Sequence, residues 1–163
     1  MHATSRVETL IRSLALTPHP EGGFYREVFR STHNVFPTDN RPPRQALTAI
    51  YFLLAAGQHS CWHRVASDET WTHLEGEPLE LLCFDANQSQ LSRAFLGIAG
   101  PERKPLFAVP PGVWQAARPL GAYTLVACHV GPGFTFEDFQ MARDDAAAMT
   151  AIRAQGSEYA SLL

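Results

Sequence analysis

The segment GQHSCWHRVASDETWTHLEG, from Gly57 to Gly76, decides how the whole chain is interpreted. The two glycines frame a histidine, His63, and a carboxylate, Glu69, which lies six residues further along. This pattern predicts two short strands joined by a tight turn. Alternate side chains of a strand share a face, so Glu69 can face the interior when His63 does. The segment therefore predicts that an imidazole and a carboxyl group meet in an enclosed space.

Strand alternation also assigns the neighbouring side chains to faces. Trp62 comes directly before His63 and is expected on the opposite face. On the second strand, Trp71 and His73 share the face of Glu69 if the strand is regular. Both side chains are therefore expected on the interior side.

Short β-rich runs separated by turn residues occupy most of the remaining chain. The predicted strands besides those above are Phe24–Arg30, Leu47–Leu54, Leu79–Phe84, Leu91–Phe95, Leu106–Val109, Val113–Ala117, Tyr123–Val130 and Phe134–Phe139. Within the opening segment they are His59–Val65 and Thr70–Leu74. Many short strands without long helices between them indicate an antiparallel sandwich or barrel.

A short helix is predicted near each end of the chain. A capping-box pattern that starts at Ser5 precedes apolar residues at helical spacing, which predicts a helix to about Ala15. Near the other end, Asp144 or Asp145 can cap a helix over residues 146–154. The predicted architecture is thus all-β with two flanking helices.

Length and composition favour one globular domain over residues 1–163. A net charge of -3 gives no electrostatic reason to expect a nucleic acid or an anionic membrane as partner. The chain has no apolar run of transmembrane length, and its N-terminal stretch lacks the pattern of a signal peptide. Three cysteines without a C-x-x-C pair predict free thiols and a cytoplasmic location.

The opening segment resembles the first motif of the cupin superfamily. The match covers Gly57, His63, Glu69 and Gly76 with the spacing of that motif, and Val65 stands where its second histidine belongs. The resemblance implies a double-stranded β-helix, the cupin jelly-roll barrel, with a ligand pocket inside.

The second cupin motif is also matched in part. Pro110, Gly112 and Gln115 stand at its offsets, with Gln115 in the position of the histidine. Of the three histidines and one glutamate that usually hold metal in the superfamily, only His63 and Glu69 are present.

A narrower resemblance extends over nearly the whole chain, to a family of small single-domain cupins of unknown function. It rests on the blocks LTPHPEGGFYRE (16–27), TAIYFLL (48–54), WHRVASDETW (62–71), GEPLELL (76–82), VPPGVWQAA (109–117) and PGFTFEDF (132–139). This resemblance, together with the open edges of a jelly roll, implies a homodimer.

Two kinds of catalysis are consistent with His63 and Glu69. In a metal-dependent oxygenase or isomerase, His63, Glu69 and Gln115 are the candidate ligands of a divalent metal, although two positions lack an imidazole. In a metal-independent isomerase or epimerase, His63 is the base, Glu69 its orienting partner or a second proton carrier, and Tyr123 or Tyr25 the acid. The sequence leaves both open, together with a non-catalytic binding module.

The ligand is expected to be small and polar, such as a carbohydrate derivative. The residues expected to contact it are Gln115, Trp71, His73, Trp114, Tyr123, Tyr25 and Arg26. A tryptophan in a strand is also ordinary core material, and Arg26 also fits a surface position. His19, His33 and His129 have no motif context and are interpreted as surface or strand residues.

Overall fold

Two antiparallel sheets form the body of the protein, in a computed structural model that describes residues 5–163. The first four residues, where the N-terminal stretch considered above begins, lie outside the described part. The strands are β1 (Thr17–Pro18), β2 (Phe24–Arg30), β3 (Asn34–Val35), β4 (Arg44–Gln45), β5 (Thr48–Ala55), β6 (Ser60–Val65), β7 (Asp68–Gly76), β8 (Leu79–Asp85), β9 (Gln90–Leu96), β10 (Leu106–Val109), β11 (Trp114–Pro119), β12 (Tyr123–Gly131) and β13 (Phe139–Met141). The helices are α1 (Arg6–Ser13), α2 (Ala146–Gln155) and α3 (Ser157–Ala160), with 3-10 turns at Phe136–Asp138 and Ala142–Asp144.

The two sheets pack face to face as the layers of a double-stranded β-helix. One sheet has the strand order β1-β2-β5-β12-β7-β10, and the other has the order β13-β6-β11-β8-β9. The chain passes from the five-stranded sheet to the six-stranded sheet at the turn between β6 and β7. The core between the sheets consists of Phe52, Leu54, Trp71, Leu79, Leu81, Cys83, Leu96, Val109, Ala117, Val126 and Cys128.

The helices cover the outer faces of the sheets. Leu10 of α1 is buried against Leu53 and Leu125 of the six-stranded sheet, and its burial stabilises the fold by about 2 kcal/mol. On the other side, Ile152 of α2 is buried with Trp114 of the five-stranded sheet. None of the described helices combines the length and apolar character needed to cross a membrane.

The predicted elements agree with the structure at all but one strand. Asp145, rather than Asp144, caps α2 by accepting a hydrogen bond from the Ala148 amide. The predicted strand Phe134–Phe139 is wrong, because this stretch is largely a 3-10 turn and β13 begins only at Phe139. The Phe134 amide donates to the hydroxyl oxygen of Thr48 instead of to a strand partner.

Candidate functional site

A cavity of about 470 Å³ is lined by residues of both sheets, and His63 and Glu69 are among them. His63 is on β6 of the five-stranded sheet, and Glu69 is on β7 of the six-stranded sheet. The turn between these strands carries the chain from one sheet to the other. The two side chains therefore face the cavity from different sheets, and they are 1% and 6% exposed.

The imidazole of His63 has a different carboxyl partner from the one expected. Its Nδ1 lies 2.8 Å from the carbonyl oxygen of Cys61, and its Nε2 lies 3.3 Å from Oε2 of Glu21. Because a carbonyl only accepts, Nδ1 carries a proton, and Nε2 is left to share one with Glu21. Ser60 fixes the other carboxyl oxygen of Glu21 with a hydrogen bond of 2.8 Å. The expectation that Glu69 orients His63 is thus replaced by an orienting role for Cys61 and Glu21.

Burial sets the protonation of this pair. It raises the pKa of Glu21 to about 8, against a smaller opposing effect of the Ser60 hydrogen bond. Burial also lowers the pKa of His63, while the charge of Glu69 and the Cys61 carbonyl act in the other direction. At neutral pH the imidazole is therefore neutral and Glu21 holds the proton that lies between them.

Glu69 is held by a chain of buried hydrogen bonds. The amide nitrogen of Gln115 donates to Glu69 over 2.6 Å, and the indole N–H of Trp71 donates to the Gln115 carbonyl over 2.9 Å. Burial raises the pKa of Glu69 to about 7, whereas His63 and Gln115 lower it. Glu69 is consequently part ionised at neutral pH and can both hold and release a proton there.

The donors around the cavity do not fit the metal site considered from the sequence. The carbonyl oxygen of Gln115 already accepts from Trp71, and its amide nitrogen, which donates to Glu69, has no lone pair for a metal. Val65 lines the cavity with an apolar side chain where the superfamily has a second histidine. Within residues 5–163, no group of three or more His, Cys, Asp or Glu side chains is arranged to hold a metal ion.

The loop between β1 and β2 supplies Glu21, which sequence reasoning missed. The Glu21 carbonyl accepts from the Cys61 amide at 2.7 Å, which ties the loop to β6. Gly22 has a φ of +113°, and a Cβ there would lie 2.2 Å from the carbonyl oxygen of His59. The sequence signal that points to Glu21 is a carboxylate placed between a proline and two glycines. Such a tight loop fixes the direction of its one charged side chain.

His19 belongs to the same loop, and its interpretation as a surface or strand residue is wrong. Its side chain is 5% exposed and lines the cavity. Nδ1 accepts from the Glu21 amide at 3.2 Å, and the ring packs edge-on against Tyr25. Burial lowers the pKa of His19 to about 4, so the ring is neutral at physiological pH.

Four of the predicted ligand contacts lie at or beside the cavity. Tyr25 and Arg26 line it. Gln115 donates a hydrogen bond directly to Glu69, and Trp71 donates one to Gln115. Trp71 and Gln115 are thus joined to Glu69 by hydrogen bonds, and the ring of Tyr25 contacts that of His19.

Three others, Trp114, Tyr123 and His73, do not line the cavity, and their placement corrects the prediction. Trp114 precedes Gln115 on β11, so it points to the outer face, where the guanidinium of Arg64 lies over its ring. The Tyr123 hydroxyl donates to Glu75 at 2.7 Å, near helix α1.

His73 lies further along β7 than the part of the strand that faces the cavity. The pairing of β12 with β7 is regular from Glu69 to His73, and the partner of Glu69, Val130, lines the cavity, whereas the partner of His73, Val126, does not. The His73 Nε2 lies 3.2 Å from the carbonyl oxygen of Gly76 instead of facing the ligand space.

An aromatic wall, formed by Phe134, Phe136 and Phe139, completes the cavity. The ring of Phe139 lies 5.4 Å from that of His63. Thr135 also lines the cavity, and its hydroxyl is the one buried side-chain polar atom among the described residues without a hydrogen-bond partner.

Two arginines form ion pairs with the 3-10 turn that carries part of this aromatic wall. Asp138, at the end of the 3-10 turn, accepts from Arg41 at 2.9 Å and from Arg44 at 2.9 and 3.0 Å. These bonds lower the pKa of Asp138, with the Arg44 hydrogen bond as the largest cause.

Comparison with protein families matches residues 8–142 to the family described as Cupin superfamily (DUF985). The chain belongs to this cupin family. The match extends over most of the chain and includes both sheets, so it agrees with the architecture described above.

Two solved structures resemble this cupin at substantial sequence identity. A hypothetical protein from Leishmania major is 36% identical over 82% of this chain and 85% of its own, with a TM-score of 0.74. Protein SO0799 from Shewanella oneidensis is 32% identical over 98% of both chains, with a TM-score of 0.84.

A more distant structure shares the fold alone. Oxalate decarboxylase from Bacillus subtilis is 15% identical, with a TM-score of 0.56, over 76% of this cupin and 29% of its own chain. A comparison with curated proteins finds no match.

Proposed function

We propose that this cupin binds a small polar ligand, such as a carbohydrate derivative, in its cavity and catalyses a metal-independent isomerisation or epimerisation. The observation that carries the proposal is the pair formed by His63 and Glu21, with its single proton, facing a cavity that Glu69 lines from the other sheet. Two groups on different sheets can remove a proton from one face of a substrate carbon and return a proton to the other face.

The reaction moves one proton at a carbon next to a carbonyl group. A base removes the proton, and the electron pair of the C–H bond forms a carbon–carbon double bond while the carbonyl oxygen takes up negative charge as an enolate. When an acid returns a proton to carbon, the pair moves back to form the new C–H bond and the carbonyl group is restored. Glu69 is part ionised at neutral pH and serves as the base. The pair of Glu21 and His63 holds a proton and serves as the acid, and the roles exchange in the reverse direction.

The pKa values of the carriers suit this task. General acid–base catalysis is most effective when the pKa of the catalytic group lies near the working pH. The values of about 7 for Glu69 and about 8 for Glu21 both meet this condition because the two carboxyls are buried. Ordinary carboxyls on the surface would be fully ionised and would hold no proton to return.

Hydrogen exchange in D₂O tests the proposal. The protein is incubated with a panel of aldoses, ketoses and sugar acids, and loss of the proton signal next to the carbonyl is followed by NMR. We expect exchange with at least one member, lowered about 100-fold or more in His63→Asn and unchanged in His33→Asn. His33 is an exposed histidine outside the cavity, which makes it a matched control.

Three results would contradict the proposal. Exchange that survives in His63→Asn would remove the histidine from the chemistry. The absence of exchange for every panel member would remove the activity. Binding of a panel member without exchange between about pH 5 and 9, detected by thermal shift, would favour a non-catalytic binding module.

A homodimer through the edge of β2 is a second part of the proposal. Strand β1 pairs only with Phe24 and Tyr25, so within the described residues the following part of β2 has a free edge. Val28 and Phe29 are exposed there. Antiparallel pairing with the same edge of a second copy would cover these two apolar side chains and satisfy the free edge. Sedimentation equilibrium should show a dimer that Phe29→Lys weakens, and a monomeric wild type would exclude it.

A further inference from the structure

The mouth of the cavity is lined by two arginines that use their charges differently. Arg30 donates to both carboxylate oxygens of Glu27, at 2.8 and 2.6 Å. It also donates to the side-chain oxygen of Gln45 and to the carbonyl oxygen of Phe134. Its charge is therefore balanced and its donors are engaged inside the protein.

Arg26 has no such balance. Its hydrogen bond goes to the backbone carbonyl oxygen of Leu14, at 3.3 Å. No carboxylate of the described residues lies within ion-pair distance of its guanidinium, and the first four residues contain no acidic side chain. Four of its five N–H donors have no partner among residues 5–163 and are available to a ligand.

The acidic groups that share the cavity do not cancel this charge. Glu27 is already paired with Arg30. Glu21, at the deep end, holds its proton at neutral pH because burial raises its pKa. An anion bound by Arg26 at the mouth would therefore not be repelled by Glu21, and the only negative charge from the deep end of the cavity would be the partial charge of Glu69.

We propose that the ligand of this cavity carries an anionic group, a carboxylate or a phosphate, which pairs with Arg26 at the mouth. The inference rests on the proposed function, since it places the rest of the same ligand against the aromatic wall and the proton carriers. Arginine presents a planar set of donors that matches both kinds of anion.

Three aromatic probes test this inference. Benzoate and benzamide have the same size and shape and differ in charge, and phenyl phosphate carries the alternative anion. Each is titrated into the whole protein by calorimetry, with Arg26→Gln as the test variant. Arg103→Gln is the control, because Arg103 is exposed, lies outside the cavity and has no carboxylate partner among the described residues.

The wild type should bind benzoate about tenfold more tightly than benzamide, a preference of the size expected for a hydrogen bond to a charged group. Arg26→Gln should reduce this preference to about twofold or less, Arg26→Lys should keep part of it, and Arg103→Gln should keep all of it. Raising the salt concentration should weaken benzoate binding and leave benzamide binding unchanged.

The relative affinity of the two anions identifies the group that the site prefers, and either order supports the inference. Equal binding of benzoate and benzamide by the wild type would overturn it, as would a preference that survives in Arg26→Gln. Failure of both anions to bind would overturn it as well. The exchange experiment is independent of these titrations, so a neutral sugar that exchanges would leave the proposed function intact while the anion inference fails.

Discussion

The Nε2 atom of His63 lies 3.3 Å from the Oε2 atom of Glu21, although the two residues come from separate parts of the chain. The Cys61 carbonyl fixes the opposite nitrogen of the same ring. The direction of the imidazole is therefore set from one side, and its free nitrogen can only exchange a proton with Glu21 or with a ligand. This arrangement makes the protonation of Glu21 the property that controls the site.

Replacing Glu21 with glutamine should change how stability depends on pH. In the wild type, the raised pKa of Glu21 contributes stability that is fully present below its ordinary value of 4.5 and is lost as the pH rises through about 8. Glutamine keeps an oxygen for the Ser60 hydroxyl but cannot ionise. The free energy of unfolding of the wild type should thus fall relative to Glu21→Gln between pH 5 and 8, measured by urea denaturation.

Glu75 offers a control of the opposite sign. The hydrogen bond from Arg6 is the largest cause that lowers the pKa of Glu75 to about 2. Its contribution is present above 4.5 and is lost only as the pH falls through about 2, so Glu75→Gln should differ from the wild type by a constant amount between pH 5 and 8. A constant difference for Glu21→Gln as well would contradict the protonation assigned here.

Gly22→Ala should destabilise the protein strongly. Gly22 has a φ of +113°, and the added Cβ would lie 2.2 Å from a backbone oxygen, that of His59. We expect a loss of about 3 kcal/mol or more in the free energy of unfolding, because neither backbone segment can move alone. Gly57→Ala is the matched control, since its φ is +77° but no atom lies within 4 Å of the new Cβ. Its loss should be about 1 kcal/mol. Equal losses for the two variants would show that backbone strain, and not the contact with His59, determines the cost of Gly22→Ala.

Gln115→Leu should cost about 3 kcal/mol. The substitution leaves the Trp71 indole N–H without its acceptor and Glu69 without a donor, and each buried unpaired group costs about 1 to 3 kcal/mol. Urea denaturation measures the loss, and Gln115→Glu is the comparison variant because it keeps an acceptor for the Trp71 indole. Since Gln115→Glu would place a second carboxyl beside Glu69, it should be tolerated better at pH 5 than at pH 8. A neutral effect of Gln115→Leu would mean that the chain of hydrogen bonds does not position Glu69.

The sequence predicts most of the sheets because strand alternation and turn residues are local properties. The same local reasoning finds His63 and Glu69, since their spacing determines that a hairpin brings both inward. Glu21 cannot be found in this way, because its contact with His63 depends on how a loop crosses the start of β6. A contact between distant parts of the chain leaves only a weak local signal in the sequence, which here is the pair of glycines after Glu21.

The misplaced aromatic residues have a related cause. Trp114 and Gln115 are adjacent, so only one of them can face the interior, and the buried amide with its two partners takes that place. Tyr123 pairs with Ala55 at the far end of β12, away from the part of the strand that lines the cavity. Alternation predicts the face of a residue, whereas its distance from the cavity along the strand depends on the register.

Thr135→Val should stabilise the protein, in contrast to Gly22→Ala and Gln115→Leu. Thr135 precedes the 3-10 turn but makes no capping hydrogen bond, and its hydroxyl is buried without a partner. Valine has nearly the same shape and removes the cost of burying that hydroxyl, so the free energy of unfolding should rise by about 1 kcal/mol. Thr124→Val is the matched control, because the Thr124 hydroxyl donates to the Glu77 carbonyl at 2.7 Å and its removal should lower stability by about 1 kcal/mol. If both variants lose stability in urea denaturation, Thr135 has a partner within the folded protein, and its hydroxyl is not held free on the wall of the cavity.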